Sequence, residues 1–180
     1  MTAYVALFRG INVGGRNSLP MQELHDLLGE LGCTDVHTYI QSGNAVFRST
    51  RKAAALSRAI GTETDKRFGF RPAVLLLRVA EFESIAAANP YVNDEANPAH
   101  LHLWFLAATP KNPDLSSLEA VRAESEAFEL GAGALYLRAP AGIGRSKLAA
   151  RVERALGVDV TARNWRTVSK LSELASTIVC

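Results

Sequence analysis

The chain has 180 residues, of which 48% are hydrophobic and 21% charged, enough for one domain or two small ones with an ordinary core. Lys and Arg number 20 against 18 Asp and Glu, so bulk charge argues against a nucleic-acid binder. No run approaches the ~20 apolar residues of a membrane span, and MTAYVALFRG lacks a basic leader and a cleavage site, so it reads as a first strand of a cytoplasmic protein.

Residues 3–13 (AYVALFRGINV) begin as an apolar, strand-forming run that breaks at Gly14-Gly15. Pro20 suits a first helical turn. Leu24, Leu27, Leu28 and Leu31 recur at helical spacing before Gly32 stops the helix. VHTYIQ and NAVFRS read as two short strands around a turn at Ser42-Gly43. Residues 51–68 are helical, with Ala53, Leu56 and Ile60 on one side. PAVLLLRV (residues 72–79) is a strand apolar enough to be covered on both faces, followed by a short helix around Phe82 and Ile85. The segment NPYVNDEANP, with two prolines and no periodicity, is the expected linker.

After it the order starts again. HLHLWFLA (residues 100–107) is a strand, and Pro113-Asp114 opens a helix carrying Leu118 and Val121. Residues 128–130 and 135–137 flank Gly131-Ala132-Gly133 as a hairpin. Leu148, Val152 and Leu156 mark a helix stopped by Gly157, residues 158–161 a short strand, and Asn164 the cap of a last helix with Val168, Leu171 and Ala175. Each half reads strand, helix, strand, strand, helix, strand, then an added helix. The first six elements are in the split βαβ, or ferredoxin-like, order. The expectation is an α+β fold made by tandem duplication of two ferredoxin-like subdomains: residues 1–89, a linker at 90–99, and residues 100–180.

Charge is unevenly placed along this frame. Residues 1–22, 130–152 and 160–172 contain no acid, yet hold nine of the twenty basic residues; the rest of the chain has eleven basic against eighteen acidic residues. Four motifs concentrate the effect. Arg9-Gly10-Ile11-Asn12-Val13-Gly14-Gly15-Arg16-Asn17 lies between the first strand and helix, where glycines allow close backbone approach and two arginines can grip an oxyanion. Tyr39-Ile40-Gln41-Ser42-Gly43-Asn44 is a hairpin whose turn accounts for Gly43 and Asn44 but not for Gln41 and Ser42. Gly142-Ile143-Gly144-Arg145-Ser146-Lys147 opens a helix with cations that oppose its dipole, a conflict an anion would remove. Thr161-Ala162-Arg163-Asn164-Trp165-Arg166-Thr167 sets an indole between two guanidinium groups. None has the spacing of a dinucleotide fingerprint or a P-loop.

FRGINVGGRN, TYIQSGNAVF, GRSK and TARNWRTVSKL, in that order, resemble the bacterial family catalogued as domain of unknown function 1697. Arg16 stands where that family often has lysine. The resemblance spans essentially the whole chain and implies a small bacterial cytoplasmic protein whose fold is similar to two ferredoxin-like subdomains. It implies no established activity.

The residues expected to carry a function are Arg9, Arg16, Arg145, Lys147 and Arg163 for charge. Asn12, Gly14, Gly15, Asn17, Gln41, Ser42, Asn44, Ser146, Asn164 and Trp165 supply polar edges, backbone donors and a stacking face. The leading expectation is a small anion (a nucleotide, phosphorylated metabolite or carboxylate) in a cleft between the two subdomains, the motifs lying at related ends of both halves. One alternative is binding of RNA or single-stranded DNA on a sheet through aromatics such as Trp104 and Tyr136. The other is a scaffold whose polar motifs only hold the repeats together. No acid lies within the motifs, so Asp35 and His37 are the nearest candidates for a general base, and neither catalysis nor a cofactor is assigned. His100 and His102 share a strand face, but no Cys, Asp or Glu at ligand spacing joins them, so no metal is expected. Cys33 and Cys180 read as thiols in a reducing cytosol, with a disulfide between them as the alternative.

Overall fold

Side chains alternate across a strand, and in β1 (Thr2–Arg9) both sets are apolar. Tyr4, Ala6 and Phe8 lie on one face, Val5 and Leu7 on the other, and all five are buried. Such a strand needs cover on both sides, and the architecture supplies it twice. The computed structural model describes residues 1–93 and 95–179. The chain is a mixed α+β protein with two four-stranded antiparallel sheets, and backbone proximity divides it into two units: Met1–Glu83 with Lys170–Cys180, and Ser84–Ser169.

The first unit contains β1, α1 (Met21–Glu30), β2 (Thr34–Tyr39), β3 (Asn44–Ser49), α2 (Ala53–Phe68) and β4 (Ala73–Arg78). Its sheet runs β2-β3-β1-β4. The helices cover one face, where Leu24, Leu27, Leu28, Leu56 and Ile60 pack on Tyr4, Ala6, Phe8, Ala45 and Phe47. Gly32 and Gly69 follow α1 and α2 at φ 81° and 74°, the left-handed stop that a helix end favours. Arg48 stands on the opposite face beside Val46 and donates from Nη1 to the Ile178 carbonyl at 3.3 Å. That bond sets the end of α6 (Trp165–Ile178), with buried Leu171, Ala175 and Ile178, against this second face.

The second unit contains the end of α3 (Val79–Ala87), β5 (Leu101–Leu106), α4 (Leu115–Glu119), β6 (Ala127–Leu130), β7 (Ala134–Arg138), α5 (Val152–Leu156) and β8 (Val160–Asn164). Its sheet runs β6-β7-β5-β8, the same order by position as the first. Trp104, Leu106, Leu135 and Leu137 pack with Leu118, Leu148, Val152 and Leu156 on one face. On the other, the Tyr136 hydroxyl donates to the Ile85 carbonyl at 2.8 Å. A Cβ on Gly133 would come within 2.6 Å of Ile85 Cγ1, so only glycine admits the end of α3 this closely.

Several expectations need correction. The first strand ends at Arg9, four residues short, because Gly10 takes φ 74° and turns the chain. β4 is an edge strand in which only Leu77 is fully buried. Residues 142–147 do not open a helix: they form turns, followed by a single 3-10 turn (Ala149–Arg151) and the five-residue α5. The dipole conflict argued for Arg145 and Lys147 therefore has no helix behind it. Val121 falls outside α4, and β8 extends to Asn164, which puts Arg163 inside a strand. His100 ends a 3-10 turn (Pro98–His100) and does not share a strand face with His102. The Cys33–Cys180 disulfide alternative lies outside the described residues, since it needs Cys180.

Candidate functional site

In the first unit β1 and β3 are antiparallel, and Leu7 pairs with Asn44. The end of β1 therefore meets the start of β3, and the loop after one adjoins the turn before the other. That register is why RGINVGGRN and YIQSGN come together. The Phe8 amide donates to the Gly43 carbonyl at 2.9 Å. Gly43 has φ 80°, and a Cβ there would lie 2.7 Å from Phe8 Cβ and closer still to Ile11 Cδ1. Both the conformation and the space require glycine.

Asn12 stitches the two segments. Its Nδ2 donates to the Leu19 carbonyl at 2.9 Å and to the Gln41 carbonyl at 2.7 Å, while Oδ1 accepts from the Leu19 amide at 2.8 Å. Asn17 Nδ2 donates to the Gly10 carbonyl at 2.8 Å, and the Asn12 amide donates to the Asn17 carbonyl at 3.0 Å. Asn44 is fully buried and donates to the Tyr39 carbonyl and to Ser42 Oγ, both at 3.1 Å. These amides are engaged inside the protein. Asn12 and Asn17 adopt φ 53° and 52°, which asparagine tolerates; Ile40, β-branched, adopts φ 49° and is strained. Arg9, Gly14, Gly15, Arg16, Gln41 and Ser42 stand at the surface of the two loops, together with Asn17 and the apolar side chains of Val13 and Ile40.

In the second unit the Ala139 amide donates to the His100 carbonyl at 2.8 Å, so the loop after β7 lies at the start of β5. Leu101 pairs with Arg138, His102 with Asn164, and Ala127 with Arg138. The loop 139–148, the β8–α6 junction and the segment before β6 thus share one end of the sheet. There a cavity of about 500 Å³ opens among Val121, Ala123, Glu126, Ala141, Gly142, Arg145, Ser146 and Lys147. Gly142 makes the turn at φ 78°. Arg145 and Lys147 are exposed, and their side chains make no hydrogen bond or ion pair with a described residue. Ser146 Oγ accepts from the amide of Ala149, the first residue of the 3-10 turn, at 3.0 Å. Glu126, which lines the same cavity as the two cations, is buried, and its Oε2 accepts from the Ala123 amide at 2.9 Å.

At the β8–α6 junction Asn164 Oδ1 accepts from the Thr167 amide at 2.9 Å, an N-cap. Trp165 is half-buried and Arg166 exposed. Arg163 donates from Nη1 to the Ala162 carbonyl at 2.8 Å, and burial pushes its guanidinium down to about 10. It keeps its charge at neutral pH, held partly inside the protein.

The motifs do not lie at related ends of the two halves, as the sequence reading expected. In the first sheet they cluster at the end of the first strand, in the second at its beginning. Among the described residues no aromatic side chain is exposed; Trp104 and Tyr136 are 5% and 2% exposed. A sheet surface for stacking bases is therefore lacking on them. No group of three or more His, Cys, Asp or Glu among the described residues could hold a metal, and Asp35 and His37 sit exposed on the edge strand β2. The sequence reading missed Val121, Ala123, Glu126 and Ala141. Val121 was read only as part of a helix face, the other three precede β6 or follow β7 in segments with no periodicity, and only the strand register brings them to the cavity of Arg145.

The chain is similar to the conserved bacterial protein SP0830 from Streptococcus pneumoniae: 26% identity over 97% of this chain and 98% of that one, with a TM-score of 0.73. No curated protein matches the chain. A family model described as "Protein of unknown function (DUF1697)" matches residues 1–136, which takes in the double loop of the first unit and stops before GRSK. With about three quarters of its length inside that model, the chain belongs to the DUF1697 family.

Proposed function

We propose that the protein binds a small anionic ligand, a nucleotide, phosphorylated metabolite or carboxylate, in the 500 Å³ cavity of its second unit. The observation that carries this reading is that Arg145 and Lys147 both open onto that cavity with no ion-pair partner among the described residues. The volume lies within the range of small-molecule sites, and Val121, Ala123 and Ala141 add an apolar wall for the uncharged part of the ligand. Glu126 sets a limit: its carboxylate repels a bare, highly charged anion and favours one whose charge reaches only the cations. Titration with phosphate, sulfate, ADP and citrate in a thermal-shift assay tests the reading, because a ligand of the folded state raises the melting temperature by mass action.

The same reading takes both units as ferredoxin-like subdomains derived by duplication. Its support is the identical order of elements and of strands in the two sheets. A second reading applies to the first unit. The bonds of Asn12, Asn17 and Asn44 favour a structural role for these residues, in which the polar motif holds two loops rigid.

A further inference from the structure

We propose that a second cavity of the second unit, lined by Asp114, Ser117, Arg151, Arg154 and Ala155, binds a small phosphate ester that carries hydroxyl groups. It shares no residue with the cavity at Arg145 and has a volume of about 330 Å³, near the lower end for ligand sites, which suits a sugar phosphate better than a nucleotide. The Asp114 amide donates to the Ala155 carbonyl at 2.8 Å and ties the start of α4 to α5. Arg151 and Arg154 are three residues apart around the start of α5, the spacing of same-face neighbours. Both are exposed, and neither side chain has a hydrogen bond or ion pair with a described residue. Two guanidinium forks on one cavity match the oxygens of a phosphate.

Asp114 supplies the second half of the recognition. Its Oδ1 accepts from the Ser116 hydroxyl at 2.7 Å and from the Ser117 amide at 3.1 Å, which fixes the carboxylate and leaves Oδ2 to accept from a ligand. A hydroxyl of the ligand can donate to Oδ2, whereas inorganic phosphate dianion meets repulsion there. α4 and α5 have five residues each, so helix dipoles play no part in the argument.

The test measures melting temperature and calorimetric affinity with glucose 6-phosphate, inorganic phosphate and glucose as probes. The expected result is a saturable shift with glucose 6-phosphate, a smaller one with phosphate and none with glucose. In R145A/K147A, which lacks the cations of the other cavity, glucose 6-phosphate should still bind, and adding R151A/R154A should weaken that binding at least tenfold. D114N, which keeps a capping oxygen, should bring phosphate up to the level of the ester. If the alanine pair loses its circular dichroism, R151Q/R154Q decides by the same criterion. Binding that survives loss of both arginines in that background, the absence of any saturable shift up to about 10 mM, or loss already in R145A/K147A would overturn the proposal. The last of these outcomes would leave the reading of the Arg145 cavity standing.

Discussion

Asn12 is the residue on which the double loop of the first unit depends. Its amide makes three hydrogen bonds, two to Leu19 and one to Gln41 across 29 positions of sequence. N12A removes all three and leaves the Leu19 amide, on a buried residue, without its acceptor. An unmet buried donor costs roughly 1–3 kcal/mol, so the variant should lose stability of that order in urea unfolding. The amides of residues 10–19 should also lose hydrogen-exchange protection. A variant as stable and as protected as the wild type would show that the loops do not need the stitch. The importance of this segment was legible in its glycines, asparagines and arginines, but the role of each was not. Asn reads alike as a ligand contact and as a backbone clamp, and the bonds of Asn12 to Leu19 and Gln41 favour the clamp.

At the scale of elements, the strands and α-helices of the described residues were legible, most of them because they bury an apolar stripe or alternation; β2 and β6, which contain no buried residue, were legible from the turns beside them. Periodicity failed where packing shortens an element. Leu148, Val152 and Leu156 have helical spacing and are buried, yet one 3-10 turn and five helical residues suffice to bury them. Ends defined by local chemistry were more readable: Asn164 was expected as a cap and accepts from the Thr167 amide at 2.9 Å. N164A should destabilise α6 by about 1 kcal/mol in equilibrium unfolding, the usual worth of such a cap; no loss would deny the cap any energetic role. β5 carries a pH dependence of its own. His102 is 8% exposed, and burial, the main cause, pushes its imidazole below the ordinary histidine range; the His100 backbone opposes this, and the His100 charge adds a smaller push downward. The unfolded chain takes up this proton near pH 6.5, the folded chain only at lower pH, so stability is full above about 6.5 and falls as the pH drops below it. Urea midpoints between pH 7.5 and 5.5 should fall in the wild type and fall less in H102Q. Equal slopes would remove His102 as the cause.

At the scale of the whole molecule, the central strands β1 and β5 bury residues on both faces, and each unit includes a helix end from the other half of the sequence: the end of α6 in the first, the end of α3 in the second. The order of elements was legible because it repeats. This exchange of helix ends was not, since Ile85 and Ile178 have the same apolar character whichever sheet they cover. The burial of Trp104 and Tyr136 follows from that double cover and leaves basic loops, not aromatic sheet faces, as the chemistry at the surface. A pocket contacting one or two phosphates should show a shallow salt dependence, whereas single-stranded nucleic acid would show a slope of roughly −0.7 per contacted phosphate. The most direct measurement is the melting temperature of R151A/R154A, which removes the cations of the second cavity, with and without R145A/K147A, against rising ADP, phosphate, sulfate and citrate, at two salt concentrations. The account predicts a saturable rise with at least one of these anions, weakly dependent on salt, that adding R145A/K147A abolishes without changing the unliganded melting temperature. No rise with any anion, or a rise that persists when R145A/K147A is added, would contradict it.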